Sequence, residues 1–269
     1  MTRLADLTSA LRARGVKPLV PFLTAGYPDE ATFLGLMGAV KRAGCPLVEM
    51  GIPFSDPVAD GPVIQASSQR ALAGGMTLTR TLELAAMVRA EHDLAVVLMG
   101  YLNPILHLGP DRFATACREA AVAGVLVPDL PLEEAGGLRD LLLQAGVDLI
   151  DLVAPTTDQD RLEHHTAAAG GFMYLVSTTG VTGSGVNKGD DLESYVARVR
   201  RANPLPLYVG FGISTPDDAA RVAACADGAV VGSALIRLID QYDDPAAANA
   251  AAEQYLAAMT VALNPDKGQ

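Results

Sequence analysis

Long hydrophobic runs, basic clusters and paired cysteines are all scarce in this sequence, and each scarcity removes a class of function. The longest apolar stretch, Leu94 to Leu108, is too short to span a bilayer and is interrupted by Asn103, Pro104 and His107. Met1 to Leu11 carries Arg3 and Asp6 within helical periodicity and lacks the apolar core of a secretory leader, so no such leader is expected in these residues. Lys and Arg number 20 against 31 Asp and Glu, a net charge of −11. That balance disfavours nucleic acid and anionic membrane, which reward clustered cations. Cys45, Cys117 and Cys225 are odd in number and far apart, as expected for structural thiols in a reducing cytoplasm. The four histidines, His92, His107, His164 and His165, have no carboxylate or cysteine at metal spacing, so neither a metal site nor a Ser-His triad is expected.

What the chain does contain is apolar sequence, half of its 269 residues, arranged as alternating short and long segments. The short, nearly continuous apolar runs predict strands at Leu19 to Leu23, Leu47 to Ile52, Ala95 to Gly100, Gly124 to Pro128, Asp148 to Ala154, Phe172 to Ser177, Leu207 to Gly210 and Gly228 to Val231. Continuous rather than alternating apolarity suits parallel strands covered on both faces. Helices are predicted over Ala31 to Ala43 after Asp29, Arg112 to Ala121 after Pro110-Asp111, Gln159 to Ala169 after Asp158, and Asp217 to Ala226 after Thr215-Pro216. Gly44, Gly146 and Gly170 are expected to close three helices.

The alternation predicts an α/β protein, a (β/α)₈ TIM barrel in one domain over residues 1–269, with Met1 to Arg14 as an extra N-terminal helix across the barrel's bottom. An open doubly wound sheet is the alternative. Its first βα turn, Leu23 to Pro28, lacks the spaced glycines of a dinucleotide site.

In a barrel, chemistry gathers where strand C-termini meet the βα loops. Glu49 lies inside an apolar strand, where an ionised carboxylate is costly unless paired or raised in pKa; it is a catalytic candidate or an acid bridging strands. The next loop, Pro53 to Pro62, adds Asp56 and Asp60 between prolines. Either could merely cap a turn, and either could pair with Glu49 in acid–base work. The glycine-, serine- and threonine-rich Ser177 to Gly189 reads as a plain loop or as a lid offering N–H groups to a phosphate. Gly210-Phe211-Gly212-Ile213 and Gly232-Ser233 end the last two strands, where many barrels bind phosphate, or they serve close packing. Tyr174 within the sixth strand, and Tyr101 and Phe22 at the ends of the third and first, are core or ligand contacts.

The run Val48 to Pro62, reading VEMGIPFSDPVADGP, resembles the signature of tryptophan synthase α chains. The resemblance spans the chain, because Pro21 to Pro28, Leu126 to Pro131, Gly180 to Gly183 and Val209 to Ser214 fall in family order; Pro128 stands where some members have Ala. It implies retro-aldol cleavage of indole-3-glycerol phosphate to indole and glyceraldehyde 3-phosphate. Glu49 would be the acid/base and Asp60 its partner. Phe22 and Tyr174 would line the indole pocket, with Phe211 also contacting substrate. Gly183, Gly212, Gly232 and Ser233 would hold the phosphate, and Thr182 would close against Asp60. No cofactor is implied on this chain: pyridoxal phosphate belongs to a separate β subunit, joined in an α₂β₂ tetramer through rims at Asp56-Pro57, Asn103-Pro104 and Asp129 to Pro131. The alternatives are a free-standing lyase without a β partner, a non-catalytic docking subunit that the intact Glu49 and Asp60 disfavour, and a sugar-phosphate isomerase on the same fold.

Overall fold

A computed structural model describes residues 3–168, 170–176, 190–210 and 212–265. Eight parallel strands form a closed barrel in sequence order: β1 Leu19–Thr24, β2 Leu47–Gly51, β3 Ala95–Met99, β4 Gly124–Leu126, β5 Asp148–Val153, β6 Met173–Leu175, β7 Leu207–Gly210 and β8 Gly228–Val231. Each overlaps its predicted segment. β4 and β6 are the most shortened, and Pro128, which has no N–H to give a ladder, lies beyond the end of β4. All residues of β1 and β2 are buried, Glu49 included, as strands covered on both faces require.

The helices are α1 Leu4–Ala13, α2 Glu30–Arg42, α3 Pro62–Ala73, α4 Leu78–His92, α5 Leu102–Leu108, α6 Pro110–Glu119, α7 Gly136–Gln144, α8 Gln159–Ala168, α9 Asp190–Ala202, α10 Pro216–Cys225, α11 Ser233–Ile239 and α12 Pro245–Leu263. Their starts are chemically fixed. Asp29 accepts the Thr32 N–H at 2.9 Å, Asp158 that of Arg161 at 2.8 Å, and Thr215 and Asp218 form a reciprocal capping box. Gly44 and Gly146 turn with φ of +83° and +76° after α2 and α7, as expected. After α8, however, the positive φ belongs to Gly171 at +73°, not to Gly170. Gly170 is needed for space, since a Cβ there would lie 2.7 Å from an Asp148 carboxylate oxygen.

The register identifies the inward face. Partners across a parallel pair share a face, and faces alternate along a strand. Phe22 stands opposite Glu49, Glu49 opposite Val97, Val97 opposite Gly124, and Gly124 opposite Asp148. Leu152, on the same face of β5 as Asp148, continues to Tyr174, Tyr208 and Gly228, and Val230 returns to Val20 beside Phe22. This set closes on itself, and it mixes the glycines Gly124 and Gly228 with the rings of Phe22, Tyr174 and Tyr208. The Phe172 and Tyr208 rings stack with centroids 4.2 Å apart. A Cβ on Gly228 would lie 2.7 Å from the Tyr208 ring, so small and large residues interlock.

The bottom is closed by α1, as predicted. Leu4 is fully buried, and a Cβ on Gly124 or Gly171 would lie 2.6 Å from it. Asp148, charged and buried at the same end, accepts from Arg3 at 2.6 Å and from the Ala5 N–H at 2.9 Å. The plug thus brings hydrogen-bond donors to a carboxylate that would otherwise be buried without them. Among the described residues no helix is long and apolar enough to cross a membrane, and no cluster of three or more His, Cys, Asp or Glu could hold a metal ion. Cys45 and Cys117 are buried free thiols and Cys225 is a partly exposed one; burial pushes the Cys45 thiol up to about 12, far from reactive thiolate.

Candidate active site

The open, C-terminal end of the barrel is where inward side chains become available to a ligand. Glu49 is the central residue of β2 and faces inward below that end, flanked by Phe22 on β1 and Val97 on β3 and only 3% exposed. Removing its carboxylate from water, with the charge of Asp60 adding to the cost, pushes its pKa up to about 8. A group of this kind is protonated at neutral pH.

Asp60 arrives from the loop between β2 and α3. That loop is tied at several points: Gln65 donates to the Asp60 carbonyl at 2.8 Å, Ala59 N–H donates to the Tyr101 hydroxyl at 3.1 Å, and the Phe54 and Tyr101 rings lie 5.3 Å apart. Pro62 occupies the first turn of α3, where its missing N–H costs nothing. Burial raises the Asp60 carboxyl to about 6, opposed by a hydrogen bond from Tyr101. Asp60 is therefore mostly ionised at pH 7, while Glu49 is mostly protonated. Two carboxyls with separated protonation states can divide acid and charge-stabilising roles.

Tyr174 joins them. Burial first, and then the charges of Glu49 and Asp60, raise its phenol well above the usual range, which places all three groups within electrostatic reach. Its hydroxyl lies over Gly210, where a Cβ would stand 2.2 Å away. Gly210→Ala should therefore displace Tyr174 and destabilise the barrel by about 1–3 kcal/mol. Urea unfolding would show it, and a midpoint equal to the parent's would mean that the tyrosine can move aside freely.

Phe22 lies between the carboxylates and the far rim: a Cβ on Gly51 would be 2.6 Å from its ring, and one on Gly232 3.2 Å. Gly232 precedes α11, Ser233 is that helix's first residue, and Gly212 takes φ of +71° after β7. The structure thus brings Phe22, Glu49, Asp60 and Tyr174 to one end of the barrel, with Gly212, Gly232 and Ser233 following the adjoining β7 and β8. Thr182, Gly183 and Phe211, with the Ser177 to Gly189 segment expected as a lid, lie outside the described residues.

Sequence reading left the role of Tyr101 open between core and contact, and did not single out the buried hydroxyl pair Thr24 and Ser67, 2.6 Å apart, which joins β1 to α3. A cavity of about 420 Å³ also opens beside the ends of β4 and β5, walled by Pro128, Asp129, Asp151, Leu152, Thr157 and Arg161 among others. Glu49 and Asp60 are not in its wall, so it is not the site of the paired carboxylates.

Known proteins resemble this chain along nearly its whole length. The family model for the tryptophan synthase alpha chain matches residues 8–264. A tryptophan synthase alpha chain of Geobacter sp. (strain M21) is 50% identical over 242 residues, 90% of this chain and 91% of the relative. The crystal structure of tryptophan synthase subunit alpha from Legionella pneumophila str. Paris superposes with a TM-score of 0.90 at 37% identity, covering 98% of this chain and all of that one. A structure of Mycobacterium tuberculosis tryptophan synthase gives a TM-score of 0.88 at 32% identity over 97% and 98% of the two chains. These matches favour an α chain over the free-standing lyase. With the sequence matched almost end to end and the barrel superposed over nearly its full length, the chain belongs to the tryptophan synthase alpha chain family.

Proposed function

We propose that this chain, one barrel domain over residues 1–269, cleaves indole-3-glycerol phosphate to indole and glyceraldehyde 3-phosphate with Glu49 and Asp60 as its catalytic pair. The observation that carries the assignment of roles is the unequal burial of the two carboxyls, which leaves Glu49 near 8 and Asp60 near 6. Protonated Glu49 gives its proton to C3 of the indole ring. The positive charge that develops at the ring nitrogen is met by ionised Asp60. Glu49, now a carboxylate, takes the proton from the hydroxyl on the adjoining glycerol carbon. That oxygen becomes the aldehyde carbonyl as the carbon–carbon bond breaks, and its electron pair restores neutral indole. The proton lent in the first step is replaced in the second, so Glu49 ends as it began. Protonated indole is a sufficient electron sink, and the reaction draws on no cofactor on this chain.

Phe22, Tyr174 and Phe211 are assigned to the indole ring, and Gly183, Gly212, Gly232 and Ser233 to the phosphate, with Thr182 closing against Asp60. Small residues there let main-chain N–H groups approach a dianion that a net charge of −11 would otherwise repel.

The partner is the β subunit, which carries the pyridoxal phosphate, in an α₂β₂ assembly in the cytoplasm. Val58, 83% exposed beside Asp56-Pro57, and Leu106, 56% exposed on α5, are apolar surface at the rims assigned to docking. The test is glyceraldehyde 3-phosphate release by the purified chain with and without β subunit. Slow release that rises strongly with the partner is expected; none in either condition would overturn the function. Because cleavage needs Asp60 ionised and Glu49 protonated, kcat should fall below about pH 6 and above about pH 8. A flat profile from about pH 5 to 9 would remove both assignments.

A further inference from the structure

We propose that Tyr101 is a positioning residue for Asp60 and that Asp129 in turn fixes Tyr101, so that the rim assigned to the partner is mechanically joined to the proposed catalytic carboxylate.

Tyr101 follows the end of β3, is only 2% exposed, and immediately precedes α5. A phenol has one proton to give and lone pairs with which to accept. Here the Ala59 N–H occupies an accepting position at 3.1 Å, leaving the O–H for the carboxylate of the next residue, Asp60. The ring meanwhile packs against Phe54 at the other end of the same loop, with centroids 5.3 Å apart and planes at 31°. One side chain therefore grips the β2–α3 loop near both ends. The backbone that carries it is held too: Asp129, in the loop after β4, accepts the N–H of Leu102 at 2.9 Å. Leu102 opens α5, which contains Asn103 and Pro104. Asp129 thus ties one assigned docking rim to another, and Tyr101 carries the connection into the loop that ends at Asp60. A displacement of the rim by a docked partner would reach the loop that carries Asp60 through the Asp129–Leu102 hydrogen bond, the Tyr101 backbone and ring, and the Ala59–Tyr101 hydrogen bond.

Among the described residues, the ionisable groups set against Asp60 are Glu49 of β2, Tyr174 of β6 and Tyr101 itself, while Asp129 acts on Tyr101 from the loop after β4. Removing the hydroxyl leaves Asp60 with the burial that raises its pKa and without the hydrogen bond that opposes it.

The inference rests on the proposed cleavage reaction, and the experiment separates the two. Tyr101→Phe keeps the ring against Phe54 and loses only the hydroxyl. In the full-length chain it should lower kcat about tenfold, leave KM within about twofold, and move the acid limb of the kcat profile upward by about half a pH unit or more. Asp129→Ala should reduce the factor by which the β subunit accelerates cleavage, and Asp129→Asn, whose amide oxygen can still accept the Leu102 N–H, should reduce it less. If the parent chain cleaves nothing, the function itself fails and the inference with it. If the parent is active while Tyr101→Phe keeps the parental kcat and acid limb, the inference alone is overturned. Should Tyr101→Phe lose its native near-ultraviolet dichroism, Asp129→Ala decides: an upward move of its acid limb supports the connection, and an unmoved limb refutes it.

Discussion

Glu49→Gln should fold as the parent does and cleave indole-3-glycerol phosphate at least about 10²-fold more slowly, with KM nearly unchanged. A positioned acid or base contributes about 10²–10⁴-fold to a proton transfer, roughly 3–5 kcal/mol, and Glu49 is assigned to two transfers in one turnover. Glutamine keeps the shape of the side chain but can neither give C3 a proton nor take one from the glycerol hydroxyl. Phe22, against which substrate is assigned to pack, does not depend on the charge at position 49, so binding should survive. A loss confined to kcat marks an interaction made in the transition state. The result also separates an enzyme from a docking subunit: a chain that only activates a β partner would tolerate the change. Parental kcat in Glu49→Gln would sink the assignment whatever the fold.

The barrel was legible in the sequence because its strands are parallel and covered on both faces, which writes each as a short apolar run between helical segments. Glu49 was legible for the same reason in reverse, as the one acid in the apolar run Leu47 to Ile52. Helix starts at Asp29, Asp158 and Thr215 were readable because capping is local, reaching only three residues ahead. What was not readable depends on contacts between distant segments. Tyr101 takes its meaning from Ala59 and Asp60 on another βα loop and from Asp129 on a third. The buried Asp148 is satisfied by Arg3, 145 residues away. Gly170 was expected to turn a helix end and instead makes room for that same Asp148, a distinction that no local pattern carries. Near Tyr174, likewise, Gly210 is explained by a side chain on the neighbouring strand rather than by its own backbone.

The same burial that prepares Glu49 for proton transfer should make the parent chain lose stability as pH rises, and Glu49→Gln should abolish most of that loss. The carboxyl titrates near 4.5 when unfolded and near 8 when folded. Below pH 4.5 it is protonated in both states and its contribution is fully present. Between those values the unfolded chain ionises and the folded chain does not, so unfolding becomes progressively more favourable; above about pH 8 the loss is complete, on the order of 5 kcal/mol. Asp60, also raised, contributes in the same direction at lower pH, but it is present in both chains and largely cancels in the comparison. Glutamine does not titrate, and the desolvation of a neutral amide is the same at every pH. The informative quantity is therefore the difference in urea-unfolding free energy between the two chains, measured at about pH 5, 7 and 8.5. It should move steadily in favour of Glu49→Gln by several kcal/mol across that range. Parallel curves would mean that Glu49 ionises about as easily in the folded chain as in water. The same carboxyl would then be unable to hold a proton at neutral pH for C3, and the acid role would have to pass to another group. Stability and catalysis at this position are two readings of one desolvated carboxyl, and the pH dependence of the first tests the premise of the second without any substrate present.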